Sequence, residues 1–358
     1  MAKMSQNFKD ETYSSFLFMN ELRIPYKTLT ATLREILLKY SFEPDRAELC
    51  ATLFAKANLD GVASHGLNRF PFFLKDIREG YIDVNAKPEC AGSFGSFERW
   101  DGNLGPGNLN AHDCMGRAVS LSKKHGMGCL VLKNTNHWMR GGNYGWQAAD
   151  EGCIGICFTN TKPNMPAWGG SEPVLGNNPV VLAVPRKNGH VVIDMALAQY
   201  SYGKMYTYKS RGEQLPFDAG FDEDGHLIRD PEKIIENELA LPIGLWKGAG
   251  LSLILDMIAS VLSGGNATCD IGEMEREHAI SQLFLCFYPP KLGTSPLPGE
   301  KVDAILQHLK SSSEFPDSDV RYPGEATRAR RRENMEHGVP VDKDTWEHVL
   351  TLGSGLNS

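Results

Sequence analysis

The spacing of apolar residues changes period twice along this chain, and that constrains its fold more than any single motif does. Up to residue 77 the apolar positions recur at helical spacing: Leu29, Leu33, Ile36, Leu37 and Tyr40, then Leu49, Leu53, Phe54 and Ala57, then Phe70, Phe73, Leu74 and Ile77. Glu43-Pro44-Asp45 suits the first turn of the second helix, and Ser64 is placed to cap the third. From about Phe94 the pattern becomes short β-branched runs alternating with amphipathic segments, as in an α/β layer. CLVLKN (129–134) and CIGICFTN (153–160) read as strands, with helices near 109–124 and over 143–152. NPVVLAVP (178–185) and HVVIDMA (190–196) read as a hairpin turned through Asn188-Gly189. An apolar helix over Leu251–Leu262 and a strand over AISQLFLCFY (279–288) close the block. After Pro289-Pro290 helical spacing returns in KVDAILQHLK (301–310) and DTWEHVLTLG (344–353), with a loop at Ser311–Ser313, Pro316 and Asp317 between them.

Helical spans on both sides of a sheet-forming block predict an α/β fold: a central mixed β-sheet flanked by helices, with a helical domain formed from both termini. The expected division is 1–21 as an N-terminal extension without sustained period, 22–93 with 291–358 as the helical domain, and 94–290 as the α/β domain. A length of 358 residues suits two domains at roughly 150 residues each.

Charge narrows the partners. With 37 Lys and Arg against 44 Asp and Glu, the net charge of −7 argues against nucleic acid or an anionic membrane surface. The Leu251–Leu262 stretch is broken by Asp256 and is shorter than the ~20 apolar residues a bilayer needs. The opening MAKMSQNFKDETYSS has no apolar signal region, and the 8 cysteines contain no CxxC pair. Cys153 and Cys157 fall in a strand-like run, where cysteine acts as a small hydrophobe. These features predict a cytoplasmic, reducing setting, without a disulfide framework or metal site.

Motifs for the commonest chemistries are missing. No GxGxxG follows a strand, so a Rossmann nucleotide site is not expected, and GxxxxGK[ST], HExxH and GxSxG are absent as well. What stands out is Ser64-His65-Gly66-Leu67-Asn68-Arg69. If Ser64 caps a helix, His65 and Arg69 share one face and can converge on a small anion. Arginine offers a fork matched to a carboxylate, and histidine can exchange a proton near neutral pH, as reduction of a 2-oxo acid requires. The same spacing also describes an ordinary helix start with a solvated arginine. A second cluster, Asn136-His137-Trp138-Met139-Arg140-Gly141-Gly142, follows a strand, where loops commonly carry ligands; a structural turn is the alternative. For a cofactor the candidates are Asp194 at a strand end, Trp246-Lys247 before a helix, and Pro323-Gly324-Glu325.

These segments carry a family resemblance. SHGLNRFPFFL (64–74), NTNHWMRGGNYGWQAADEGCIGICFTN (134–160), MPAWGG (165–170), YSYGKM (200–205) and LPIGLWKGAGLSLILDMIASVLSGG (241–265) resemble the malate/L-lactate dehydrogenase-like oxidoreductases. That family binds NAD(P)H without a Rossmann fold, and the resemblance is to its reductases of 2,3-diketo-L-gulonate. It implies hydride transfer from a nicotinamide, NADH with NADPH not excluded, to a small-molecule 2-oxo acid. His65 would be the proton donor and Arg69 the partner of the substrate carboxylate. In ureidoglycolate dehydrogenases of the family the acid/base histidine matches His137 instead. Cofactor contacts are implied for His190, Val191, Val192, Ile193, Asp194, Met195 and Ala196, for Trp246 and Lys247, for Gly324, Glu325 and Ala326, and for Thr161. The pattern departs at Gly324-Glu325-Ala326, where those reductases carry Gly-His-Glu. A homodimer is also implied, which would set the Tyr144 and Trp146 of GNYGW against a partner. Lactate, malate, ureidoglycolate and piperideine-2-carboxylate are the alternative substrates. A catalytically silent relative would be expected to have lost the His65–Arg69 pair and Lys247.

Overall fold

Alternation along the central strands decides the architecture, because successive side chains leave a strand on opposite faces. A computed structural model describes residues 21–293, 298–315 and 318–354; the expected N-terminal extension as far as residue 20, and Pro316-Asp317, lie outside these. Its strands are β1 (Glu21–Ile24), β2 (Glu89–Phe94), β3 (Phe97–Asp101), β4 (Met127–Thr135), β5 (Ile154–Thr159), β6 (Met165–Pro166), β7 (Pro173–Leu175), β8 (Val180–Val184), β9 (Val191–Met195), β10 (Gly220–Phe221), β11 (Leu227–Ile228), β12 (Ile280–Phe287) and β13 (Val339–Asp342). Seven of them form one sheet in the order β2-β3-β4-β12-β5-β8-β9. Only the β3–β4 pair is parallel, so the sheet is mixed, and β8–β9 is the expected hairpin.

Leu130, Leu132, Cys157, Val181 and Phe284 face one side of this sheet, while Val131, Phe158, Val180 and Leu283 face the other. The helices are α1 (Tyr26–Lys39), α2 (Pro44–Leu59), α3 (Phe70–Arg78), α4 (Gly107–His125), α5 (Gly142–Asp150), α6 (Tyr202–Ser210), α7 (Pro231–Asn237), α8 (Trp246–Ser263), α9 (Thr268–Gly272), α10 (Pro298–Lys310), α11 (Glu325–His337) and α12 (Lys343–Ser354). α4 and α5 cover the first face and α8 the second.

Both ends of the chain share a separate core. Leu29, Leu33, Leu37, Phe54, Phe70 and Phe73 pack with Val339, Val341, Trp346 and Val349. β1 pairs antiparallel with β13, Glu21 opposite Asp342 and Ile24 opposite Val339. Glu21, expected at the end of the extension, therefore belongs to a strand. Two further boundaries move. β2 joins the central sheet although it lies almost wholly before Phe94. α10 reaches the β8–β9 turn through an ion pair between Asp303 and Arg186, so residues from 298 onward begin against the sheet domain.

Two aromatic expectations are overturned. Tyr144 and Trp146 are buried inside the chain, Tyr144 against Trp138 and Phe284, and neither is available to a partner. The apolar surface lies instead on α8, which exposes Leu251, Ile254, Met257 and Val261. Asp256, on the seated side of that helix, accepts hydrogen bonds from the Thr268 amide at 3.0 Å and from Asn160 at 2.8 Å. At 18 residues α8 is, among the described residues, the one helix long and apolar enough to cross a bilayer, yet one side of it is seated on the sheet.

Candidate active site

The segment that begins at Ser64 does not enter a helix directly. Ala63–His65 and Leu67–Arg69 form two separate 3-10 turns, and α3 starts only at Phe70. The cause is local. Asn58 on α2 accepts the Leu67 amide at 2.5 Å, and a Cβ on Gly66 would overlap that same Asn58 side chain. The chain is pinned to α2 at Gly66, which splits the expected helix start. His65 and Arg69 therefore do not share a helix face as their four-residue spacing predicts; each comes from its own turn.

Both nevertheless line one cleft of about 1090 Å³, together with His137, Thr161, Val192, Ile193, Asp194, Ala196 and Gly324. The remaining expected contacts lie outside its lining. Val191 and Met195 sit on the other side of β9 from Val192 and Asp194, a side from which Ile193 alone reaches the lining. His190 is spent on structure: Nε2 meets Asp150 at 2.9 Å, and Nδ1 accepts the Arg186 amide at 3.0 Å. Glu325 pairs with Lys310 at 2.8 Å, so the departure at Glu325-Ala326 falls outside the cleft. Trp246 and Lys247 are exposed at the first turn of α8 and are absent from the cleft wall.

The two histidines stack, with ring centroids 5.8 Å apart. Their hydrogen bonds differ in kind. His137 Nδ1 accepts the Met139 amide at 3.0 Å, which leaves its proton on Nε2. Met139 sits in the left-handed region, φ 61°, a strain that the turn holds next to this contact. His65 Nδ1 meets the Ser64 hydroxyl at 3.0 Å, and a hydroxyl can donate to a neutral imidazole or accept from a charged one. Burial pushes His65 down to about 4; Asp194 opposes this, and Arg69 and Arg140 reinforce it. Burial also pushes His137 well down, aided by Arg69 and His65. Both rings are thus neutral at pH 7 in the free chain. Arg69 lines the cleft beside Phe72, with its guanidinium carbon 5.8 Å from the ring centre, and has no carboxylate partner among the described residues.

Behind the cleft lies a cluster that sequence reasoning missed. Asp60, fully buried at the end of α2, ion-pairs with Arg140 and accepts from Arg331 at 2.6 and 2.7 Å. Burial opposes ionisation of Asp60, but the Arg331 hydrogen bonds and the Arg140 charge hold it below the usual carboxylate range. Arg331 also lies 4.5 Å from the centre of a Trp146 ring. Arg140 Nε has no hydrogen-bond partner and stands 4.0 Å from Asp194 Oδ2, which accepts the Gly142 amide at 2.7 Å. No sequence signal joins Asp60 to Arg331, since 271 residues separate them.

Residues 24–350 match the profile of the malate/L-lactate dehydrogenase family. The chain belongs to that family. The 2,3-diketo-L-gulonate reductase of Pasteurella multocida (strain Pm70) is 40% identical over 333 residues, 92% of this chain and 100% of that protein. Among solved structures, the malate dehydrogenase of Entamoeba histolytica superposes with a TM-score of 0.89 at 25% identity, over 94% of this chain and 99% of that one. The sulfolactate dehydrogenase of Methanocaldococcus jannaschii gives 0.84 at 26%, over 94% and 97%. This family member is an oxidoreductase, and a nicotinamide cofactor goes with its family. The cleft fits such a group. Arg140 Nε is buried in its wall without a partner, and the Asp194 side chain is 27% exposed at the end of β9. Gly324, φ 93°, lets residues 323–324 run close over β9, where the Val192 amide donates to Pro323 at 3.1 Å. A Cβ at Gly324 would come within 3.2 Å of that backbone.

Proposed function

We propose that this family member reduces 2,3-diketo-L-gulonate to 3-keto-L-gulonate with NADH. The observation that carries the reading is Arg69, a guanidinium on the cleft wall with no carboxylate partner among the described residues, beside a histidine whose Nδ1 contact tolerates both protonation states. When bound, the nicotinamide supplies the hydride. Arg69 holds the C1 carboxylate through its fork. His65 gives its Nε2 proton to the C2 oxygen, and the neutral ring left behind keeps the Nδ1 proton, which it donates to the Ser64 hydroxyl oxygen. His137, with its proton fixed on Nε2, donates a hydrogen bond and orients that oxygen. Asp194 and Gly324, with Thr161, Val192, Ile193 and Ala196, hold the cofactor.

A panel of 2,3-diketo-L-gulonate, pyruvate, oxaloacetate and piperideine-2-carboxylate, and of ureidoglycolate in the oxidative direction, with both nicotinamide cofactors, tests substrate and cofactor. Arg69→Gln is expected to raise KM for the 2-oxo acid about 10- to 100-fold, the worth of a charged hydrogen-bonded pair, while NADH affinity moves less than about twofold. An unchanged KM would remove Arg69 from the substrate.

The partner in this reading is a second copy of the chain, seated on the exposed apolar face of α8. Trp246 and Lys247, at the first turn of that helix, would reach a cofactor only across such a contact. Light scattering should give the mass of two chains, and Val261→Asp, at a residue 76% exposed, should give one. A monomeric wild type would rule the dimer out. The 8 free cysteines are in line with a cytoplasmic setting.

A further inference from the structure

One part of the cleft, a lobe formed by lining residues other than the histidines and Arg69, carries chemistry that the proton and carboxylate contacts leave unused. Its walls are the segment after β5 and helix α6. Gly203 on α6 lies so close to Ser64 that a Cβ there would come within 2.5 Å of the serine Cβ, so this lobe opens directly beside His65. The lining includes Lys162, Asn164, Tyr206, Arg211, Glu238 and Glu277.

Asn164 is 7% exposed, and its Oδ1 is buried without a hydrogen-bond partner. An unmet acceptor in a buried wall carries a desolvation penalty that persists unless something donates to it. Its backbone is fully engaged: the amide donates to Leu175 at 2.9 Å, and the carbonyl accepts from the Tyr202 hydroxyl at 2.7 Å. The residue is therefore held in place independently of its side chain. Around it, Lys162 is tied to Glu238, and the Lys162 amide donates to Glu277 at 2.9 Å. Two carboxylates against Lys162 and Arg211 leave the lobe without the positive excess that a second carboxylate or a sulfonate on the substrate would require. The unmet group on its wall, Asn164 Oδ1, is an acceptor, and an acceptor selects a hydroxyl group.

We propose that this lobe binds the hydroxylated tail of a sugar-derived 2-oxo acid, with Asn164 Oδ1 accepting from one of its hydroxyls. The assignment rests on the reduction proposed above and adds the residue that separates a six-carbon sugar acid from a short or doubly charged one. Asn164 is a specificity residue here and takes no part in hydride or proton transfer.

Asn164→Ala tests it against two ligands that share the Arg69 and His65 end. On 2,3-diketo-L-gulonate, kcat/KM should fall about three- to tenfold, the worth of one neutral hydrogen bond. The inhibition constant of oxamate, which has the carboxylate and carbonyl but no tail, should stay within about twofold, which also shows that the variant is folded. An equal loss with both ligands, or no loss with the sugar acid, overturns the assignment. If the unsubstituted chain binds oxamate but does not turn over the sugar acid, the substrate proposed above fails and this lobe's role fails with it.

Discussion

Replacing His65 with alanine is expected to lower kcat/KM for 2-oxo acid reduction by roughly 10²–10⁴, the usual contribution of a positioned general acid. His137→Ala should cost less. The difference rests on what each Nδ1 touches. A second proton on His137 has to displace the Met139 amide, whereas on His65 it only reverses the hydrogen bond to the Ser64 hydroxyl. The pH dependence follows from the pKa of about 4 that burial imposes on His65 in the free chain. Above that value the ring is neutral, so oxidation of a 2-hydroxy acid, which needs a neutral base, should have a kcat/KM that is flat through neutral pH and lost only on acidification toward 4. Reduction needs the charged ring, so its kcat/KM should fall as pH rises, by about tenfold per unit where this ionisation alone controls it. Both dependences should vanish in His65→Ala. A variant within a few-fold of wild type, or a His137→Ala variant that is the more damaged, would exchange the two roles.

Asp60→Ala should be the most destabilising single change near the site, by about 3–5 kcal/mol, as expected when one partner of a buried ion pair is removed. Arg140, 4% exposed, would be left as a buried charge with Asp194 at 4.0 Å as its nearest counter-charge, and Arg331 would lose both of its hydrogen bonds to Asp60. Asp60→Asn keeps the shape and one acceptor and should cost less. Urea unfolding followed by tryptophan fluorescence reads the effect directly, because Trp146 lies under Arg331. An unfolding midpoint unchanged from wild type would show that the three groups do not act as a unit. The network joins α2, α11 and the turn after β4, so its loss should also loosen Asp194 and weaken binding of the nicotinamide cofactor.

Periodicity was enough to find β4, β5, β8, β9 and β12 and the helices α1 to α5, α8, α10 and α12, whose apolar residues feed the three cores, but not β2 and β3 at the exposed edge of the same sheet. It could not find β1 and β13, four residues each, whose pairing depends on the far end of the chain. The site was legible as composition rather than as geometry. His65 and Arg69 do meet at one cleft, but through a break at Gly66 that Asn58 imposes, and no local rule connects Asn58 with Gly66. Within HVVIDMA, strand alternation accounts for Val192 and Asp194 at the cleft and for Val191 and Met195 away from it, but not for Ile193, which lines the cleft from the same side as Val191 and Met195. Aromatic content misled at Tyr144 and Trp146, since such rings suit a core as well as an interface. Asp60, Arg331 and Asn164 left no trace in the sequence because their roles arise only from tertiary neighbours.

The pairing of β1 with β13 also bears on how the protein is made. Glu21–Ile24 leaves the ribosome more than three hundred residues before Val339–Asp342 can meet it, as does Arg23, which donates to the Gly338 carbonyl across 315 positions. During synthesis the first helices must therefore wait with Val339, Val341, Trp346 and Val349 missing from their core, while the sheet between them has all its strands by Phe287. Closing so long a loop is slow and comes last. Until the final segment arrives, the nascent chain carries an uncovered apolar seam, the surface that chaperones capture.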